Sequence, residues 1–152
     1  MNKPDTFLIR PLRPDDRECW AALWTAYLEF YETSVEPEIY DSTFARLIGD
    51  DPQDFSCFVA ESGNKLIGLT HFLFHRHGWK IENVCYLQDL YATPESRGTG
   101  VGRALIEAVY AAADTAGAPS VYWLTQEGNT TARQLYDRIA TPTDFMKYQR
   151  PL

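Results

Sequence analysis

Residues 97–102 read Arg-Gly-Thr-Gly-Val-Gly, and this glycine loop constrains the fold more than any other stretch of the chain. It follows an extended run, residues 86–94 (Tyr-Leu-Gln-Asp-Leu-Tyr-Ala-Thr-Pro), and precedes the helical run 103–108 (Arg-Ala-Leu-Ile-Glu-Ala). Strand, glycine turn and helix in that order build an anion cradle. Gly98, Gly100 and Gly102 let backbone N–H groups approach a ligand, while Arg97 brings a full positive charge. The helix start adds orphan N–H donors and the positive end of its dipole. A Walker A loop needs Lys-Ser/Thr where this chain has Arg103-Ala104, so that reading fails. A dinucleotide fingerprint needs G-x-G-x-x-G near the first strand, whereas this loop is G-x-G-x-G and lies well along the chain. On these six residues alone, a ligand-free structural turn remains open.

Bulk properties narrow the class. A chain of 152 residues forms one domain, 1–152, with a real core. An apolar content of 45% excludes disorder, and no apolar run reaches the length of a membrane span. The start, Met-Asn-Lys-Pro-Asp-Thr, lacks the apolar core of a signal peptide. Cys19, Cys57 and Cys85 are odd in number and without C-x-x-C spacing, which points to reduced thiols in the cytoplasm and to no metal site. A net charge of −7 argues against a nucleic-acid partner. Between Glu29 and Glu61 nine acidic residues face a single Arg46. That stretch reads either as a solvated face or as a field that draws a cationic amine.

Periodicity orders the elements. Residues 6–10 are β-like and stop at Pro11; Pro14-Asp15-Asp16 offers a cap for a helix with Trp20, Leu23, Trp24, Tyr27, Leu28 and Tyr31 on its apolar stripe. Pro37 closes that region, and Asp41-Ser42 caps a second short helix that ends at Gly49. Residues 55–61 and 66–75 form a hairpin, and 84–93 is the central strand. A helix over 100–116, a strand over 120–125, a helix capped by Asn129 and a closing strand over 144–149 complete the order. The fold class is α/β (α+β), with a mixed sheet of about six to seven strands and about four helices.

Arg97, Gly100 and Gly102 also satisfy Arg/Gln-x-x-Gly-x-Gly/Ala, the acetyl-CoA pyrophosphate pattern of the GCN5-related N-acetyltransferases. The chain resembles that family over nearly its whole length, from Ile9-Arg10-Pro11 through Phe58-Val59-Ala60-Glu61 and Ile67-Gly68 to Asn129 and Leu135-Tyr136. Tyr86-Leu-Gln-Asp-Leu-Tyr91, Trp123-Leu-Thr-Gln-Glu127 and Phe145-Met-Lys-Tyr148 are similar to the diamine, polyamine and yeast histone/D-amino-acid acetyltransferase branch. The resemblance implies acetyl-CoA as cosubstrate, with Leu90, Tyr91 and Ala92 exposing backbone groups to pantetheine. It implies that Arg97, Gly98, Thr99, Gly100, Val101, Gly102 and Arg103 hold the pyrophosphate, with Asn129 and Ala132 also contacting the cosubstrate. Gln88, Tyr31, Glu32 and Glu127 would meet a small-molecule amine, and the assembly would be a homodimer.

Two roles stay open. Tyr136 matches the family's proton donor to the thiolate leaving group, and its alternative is a core-packing aromatic. Gln88 stands where the polyamine enzymes carry a glutamate, and an amide is no general base. Strand alternation points the neighbouring Asp89 to the opposite face unless a bulge intervenes. The base is therefore Asp89, Glu127 or a water chain. His71 and His75 share a strand face and read as polar residues of a half-exposed strand, or as contacts to substrate. An acetyltransferase acting on a small amine or a peptide lysine stands against a non-catalytic acyl-CoA-binding module.

Overall fold

Four antiparallel strands and one short parallel strand form a sheet in the spatial order β1-β2-β3-β4-β5. The computed structural model describes residues 6–152, so the signal-peptide reading of Met1–Asp5 lies outside the described residues. The strands are β1 (Leu8–Pro11), β2 (Ser56–Ser62), β3 (Lys65–His75), β4 (Val84–Ala92) and β5 (Val121–Tyr122). Gly63, at φ 60°, makes the tight β2–β3 turn. The parallel step from β4 to β5 needs a crossover, which is supplied by α3 (Val101–Thr115).

Helices cover both faces. On one side α1 (Arg17–Phe30) and α2 (Pro37–Ile48) bury Trp20, Leu23, Trp24, Phe44 and Leu47 against Val59 and Leu69. On the other, α3 and α4 (Thr130–Ile139) pack Ile106, Val109 and Leu135 on Phe72, Cys85 and Leu87. No helix among the described residues is long and apolar enough to cross a membrane.

Three expectations change. Pro37 opens α2 rather than closing the preceding region, because its missing N–H costs nothing at a first helical position. The strand over 120–125 shrinks to Val121–Tyr122, since pairing with β4 stops at Tyr86↔Tyr122. The closing strand over 144–149 is absent among the described residues, which contain five strands rather than six or seven. Alternation does not make a strand without a partner edge, and here Phe145, Met146 and Tyr148 stand 84%, 78% and 91% exposed.

A buried ion pair fastens the N-terminal strand to α1. Arg10 donates to both Asp16 oxygens at 2.7 and 2.9 Å and to Glu61 at 2.7 Å. The Asp16 carboxylate also accepts from the Arg13 N–H, and the Arg10 hydrogen bonds hold its proton affinity below the usual carboxylate value. Removing either partner would strand a charge in the interior.

Close contact between α3 and the sheet rests on Gly68. A Cβ there would meet Val101 Cγ1 at 2.9 Å, the Tyr91 carbonyl at 3.0 Å and Leu105 Cδ1 at 3.1 Å. Gly68→Ala is expected to destabilise the fold by about 1–3 kcal/mol through overpacking. Urea denaturation measures this, and an unchanged midpoint would mean that α3 yields without cost.

Candidate active site

One irregularity in β4 decides what faces what. Leu87 pairs with Phe72 and Asp89 with His71, so Gln88 is an extra residue without a partner, a β-bulge. Cys85 and Leu87 point to the α3 side, as do Leu90 and Ala92 beyond the bulge. Asp89 and Tyr91 turn to the α1 side. The bulge left conditional by the sequence is therefore present, and Asp89 is not directed into the α3 core. Gln88 itself is exposed.

Asp89 enters a buried polar chain. The Trp20 indole N–H donates to His71 Nε2 at 2.9 Å, and His71 Nδ1 lies 2.8 Å from Asp89 Oδ2. The three side chains belong to residues only 0%, 3% and 8% exposed, so His71 is not the half-exposed polar residue expected from its strand. His75 is separate and bonds the Tyr122 hydroxyl at 2.8 Å. Burial, and after it the charge of Asp89 and hydrogen bonding to that carboxylate, push the Tyr27 phenol far above its ordinary value. Tyr31 and Tyr86 are raised for the first two of those reasons.

The opposite edge of β4 is open. Cys85↔Val121 and Tyr86↔Tyr122 are its only pairs with β5, so from Leu87 to Ala92 the backbone groups on that edge have no strand partner. This notch runs toward the glycine loop. Gly98 and Gly100 adopt φ of 78° and 91°, and a Cβ at either would meet nothing within 4 Å. That vacant surface at the start of α3 suits a pyrophosphate. Gly102 does different work: its Cβ would meet Leu135 Cδ2 at 3.3 Å, so this glycine lets α4 approach α3. Thr99 bonds back to the Ser96 carbonyl, and Val101 is buried. The Arg97 guanidinium lies over the Phe30 and Tyr91 rings at 5.9 and 5.8 Å, while Arg103 pairs with Glu107 at 2.8 Å.

Tyr136 projects from α4 beside Trp123, with ring centroids 5.4 Å apart. Burial and then the neighbouring Tyr31 phenol raise its proton affinity to about 12, so it keeps its proton at neutral pH. It lines a groove of about 680 Å³ shared with Trp123, Thr125 and Arg133. Asn129 occupies the N-cap of α4 without a side-chain cap bond, reaching only Thr125 Oγ1 at 3.5 Å, and Ala132 is half-buried one turn on. Glu32 sits at φ 57°, a left-handed conformation that favours glycine, at the end of α1. With Glu29, Thr33 and Ser34 it lines an open depression.

The fold thus joins Trp20, His71 and Asp89 in one buried chain and sets the glycine loop at the end of the strand that carries Asp89. Glu127 is not drawn in: it is exposed, and its carbonyl accepts from Arg133 at 2.8 Å. Sequence reasoning missed Trp20 and Tyr27 as polar members of the site and held His71 only as an alternative to a half-exposed strand residue. Trp20 and Tyr27 were on an apolar helical stripe, and no local pattern tied that stripe to a histidine 51 residues away.

Similar proteins identify the family and the fold. The model of the acetyltransferase (GNAT) family matches residues 17–140. The chain is 40% identical over 148 residues to the D-amino-acid N-acetyltransferase of Saccharomyces cerevisiae, covering 96% of this chain and 91% of that protein. It is 30% identical over 117 residues to the thialysine N-epsilon-acetyltransferase of Mus musculus, covering 71% and 68%. Its fold matches the ribosomal-protein-alanine N-acetyltransferase of Brucella melitensis with a TM-score of 0.81, at 20% identity over 97% of this chain and all of the other. An aminoglycoside N-acetyltransferase solved with CoA gives a TM-score of 0.83, at 18% identity over 96% and 95%. On the family model and the yeast relative together, the chain belongs to the GNAT family and is an N-acetyltransferase.

Proposed function

We propose that this chain moves the acetyl group of acetyl-CoA directly onto a weakly basic amino group of a small molecule, with Asp89 as proton acceptor and Tyr136 as proton donor. The observation that carries it is the unpaired edge of β4, which runs from Leu87 to Ala92 toward the open glycine loop. Acetyl-CoA supplies the activated acetyl group as a thioester. The open edge of β4 from Leu90 through Tyr91 to Ala92 offers backbone groups to its pantetheine arm, with the Ala92 carbonyl also accepting from Arg97 Nε at 3.3 Å. Arg97, Arg103 and the N–H groups from Gly98 to Gly102 hold the pyrophosphate, and Asn129 and Ala132 border the arm from α4.

The amine must lose a proton before its lone pair attacks. Asp89 takes that proton, a role that Gln88 cannot fill and for which Glu127 lies too far out in solvent. As the C–S bond breaks, Tyr136 gives its phenolic proton to the sulfur. Gln88, Tyr31 and Glu32 contact the amine, and the acidic depression at Glu29 and Glu32 draws it in. The free thiols of Cys19, Cys57 and Cys85 support a reduced compartment, and the reading includes a cytoplasmic homodimer of this single domain.

The names of the relatives bear on the amine. The α-amino group of a peptide has a pKa of about 7.7–8.0 against about 10.4 for the lysine side chain, and that of a free amino acid lies between the two. The amine of thialysine is likewise weakened by its electron-withdrawing sulfur. At pH 7 an amine of pKa about 7.7–8.0 is roughly one-tenth to one-sixth free, against under about one part in a thousand for lysine, which suits a site without a glutamate at position 88.

Three tests follow from these assignments. Gly100→Asp sets a carboxylate against the pyrophosphate and is expected to abolish acetyl-CoA binding in calorimetry; retained affinity in the folded variant would dismiss the loop. Tyr136→Phe keeps the ring but lowers turnover about ten- to ten-thousand-fold with acetyl-CoA affinity nearly unchanged. Equal turnover would return Tyr136 to packing alone. In an amine panel scored by thiol release, α-amino acids and thialysine should outperform spermidine at pH 7, with activity rising toward pH 9. Gln88→Glu should shift preference toward polyamines, and a flat profile with spermidine already best would overturn the amine assignment.

A further inference from the structure

The buried chain from Trp20 through His71 to Asp89 has a direction imposed by chemistry. An indole N–H only donates, so His71 Nε2, 2.9 Å away, must present its lone pair. The single proton of a neutral imidazole then lies on Nδ1, which donates to Asp89 Oδ2 at 2.8 Å. A second proton on Nε2 would set two donors against each other in a site closed to water. Trp20 is 0% exposed and stacks on Trp24 with centroids 5.3 Å apart, so the indole has no room to turn aside.

We propose that His71 is a positioning residue, fixed by Trp20 as a neutral Nδ1–H donor, whose role is to keep Asp89 ionised and aimed as the acceptor of the amine proton. The inference rests on the reading of Asp89 as that acceptor. An unlocked histidine beside a carboxylate would itself take a proton and form an imidazolium–carboxylate pair, leaving Asp89 a poor base. Trp20 closes that route, so the negative charge stays on Asp89. The groups that face Asp89 are Tyr27 from α1, Tyr31 just past its end, Cys57 from β2, His71 from β3 and Tyr86 from β4. None of these carries a positive charge that would compensate Asp89 in place of the His71 donor. In the reaction the amine N–H bond breaks, the proton passes to the Asp89 carboxylate, and it is released to water after the amide departs. His71 keeps its own proton throughout.

Long-range ¹H–¹⁵N spectra of the ¹⁵N-histidine-labelled protein read the tautomer without any substrate. The expected pattern for His71 is Nδ1–H with an unprotonated Nε2, unchanged from about pH 5.5 to 8.5, although an unperturbed histidine titrates near 6.5. An Nε2–H tautomer, or titration in that window, would overturn the proposal. Trp20→Phe removes the indole donor and keeps a ring; His71 should then titrate, and the acid limb of kcat should move up by about one pH unit or more. His71→Leu should lower kcat at pH 7 about a hundredfold with KM for acetyl-CoA changed less than about threefold. His71→Asn, whose amide retains a donor near the Nδ1 position, should restore most of that loss. An unshifted acid limb in Trp20→Phe, or full kcat in folded His71→Leu, would sink the positioning role. Full activity of Asp89→Asn, with the tautomer as expected, would instead sink the reading of Asp89 as acceptor.

Discussion

An extra residue in β4 organises this molecule. The side-chain period of a strand is two, so a one-residue insertion exchanges the faces of everything that follows. With regular alternation from Leu87, Asp89 would be driven against Ile106 and Val109, where no group could satisfy a carboxylate. The bulge at Gln88 turns Asp89 to the α1 side, where His71 meets it at 2.8 Å. It also sends Leu90 and Ala92 into the α3 core. One irregularity thus seats an acid in the molecule and keeps the hydrophobic layers intact.

Two buried carboxylates have been given different tasks by their surroundings. Asp16 is engaged by the Arg10 guanidinium through both oxygens and by a backbone N–H, which neutralises its charge and fastens β1 to the start of α1. Asp89 instead lies 2.8 Å from His71 Nδ1, and its charge bears on the Tyr27, Tyr31 and Tyr86 phenols. A charge compensated by an arginine is a fastening. The Asp89 carboxylate meets an imidazole in place of a guanidinium, so the two buried acids sit in different electrostatic surroundings.

Glycines divide their labour along the same lines. Gly68 admits the side chains of Val101 and Leu105 and thereby presses α3 onto the sheet, while Gly102 admits Leu135 of α4. Gly98 and Gly100 admit nothing from the protein and take left-handed backbone conformations at the start of α3. Glu32 is the converse case, a side chain kept where glycine would be easier, at the rim of the acidic depression.

The linear order of residues by itself determined the parts whose physics is local. The strand, glycine turn and helix around Arg97–Arg103 were legible because glycine spacing and helix-start chemistry act within a dozen residues, and the family pattern lay in the same stretch. The apolar stripes of α1, α3 and α4 were legible by periodicity. What tertiary structure alone decided involves partners far apart in the chain: the pairing of Asp89 with His71, the indole of Trp20 that orients that histidine, and the point, after Tyr86, at which β4 parts from β5. The segment 144–149 shows the same limit from the other side, for alternating side chains become a strand only when a neighbouring edge supplies the hydrogen bonds. The bulge and the His71–Asp89 contact are set by what lies across the fold and no local pattern encodes them, whereas the open edge at Leu90–Ala92 was implied by the family resemblance.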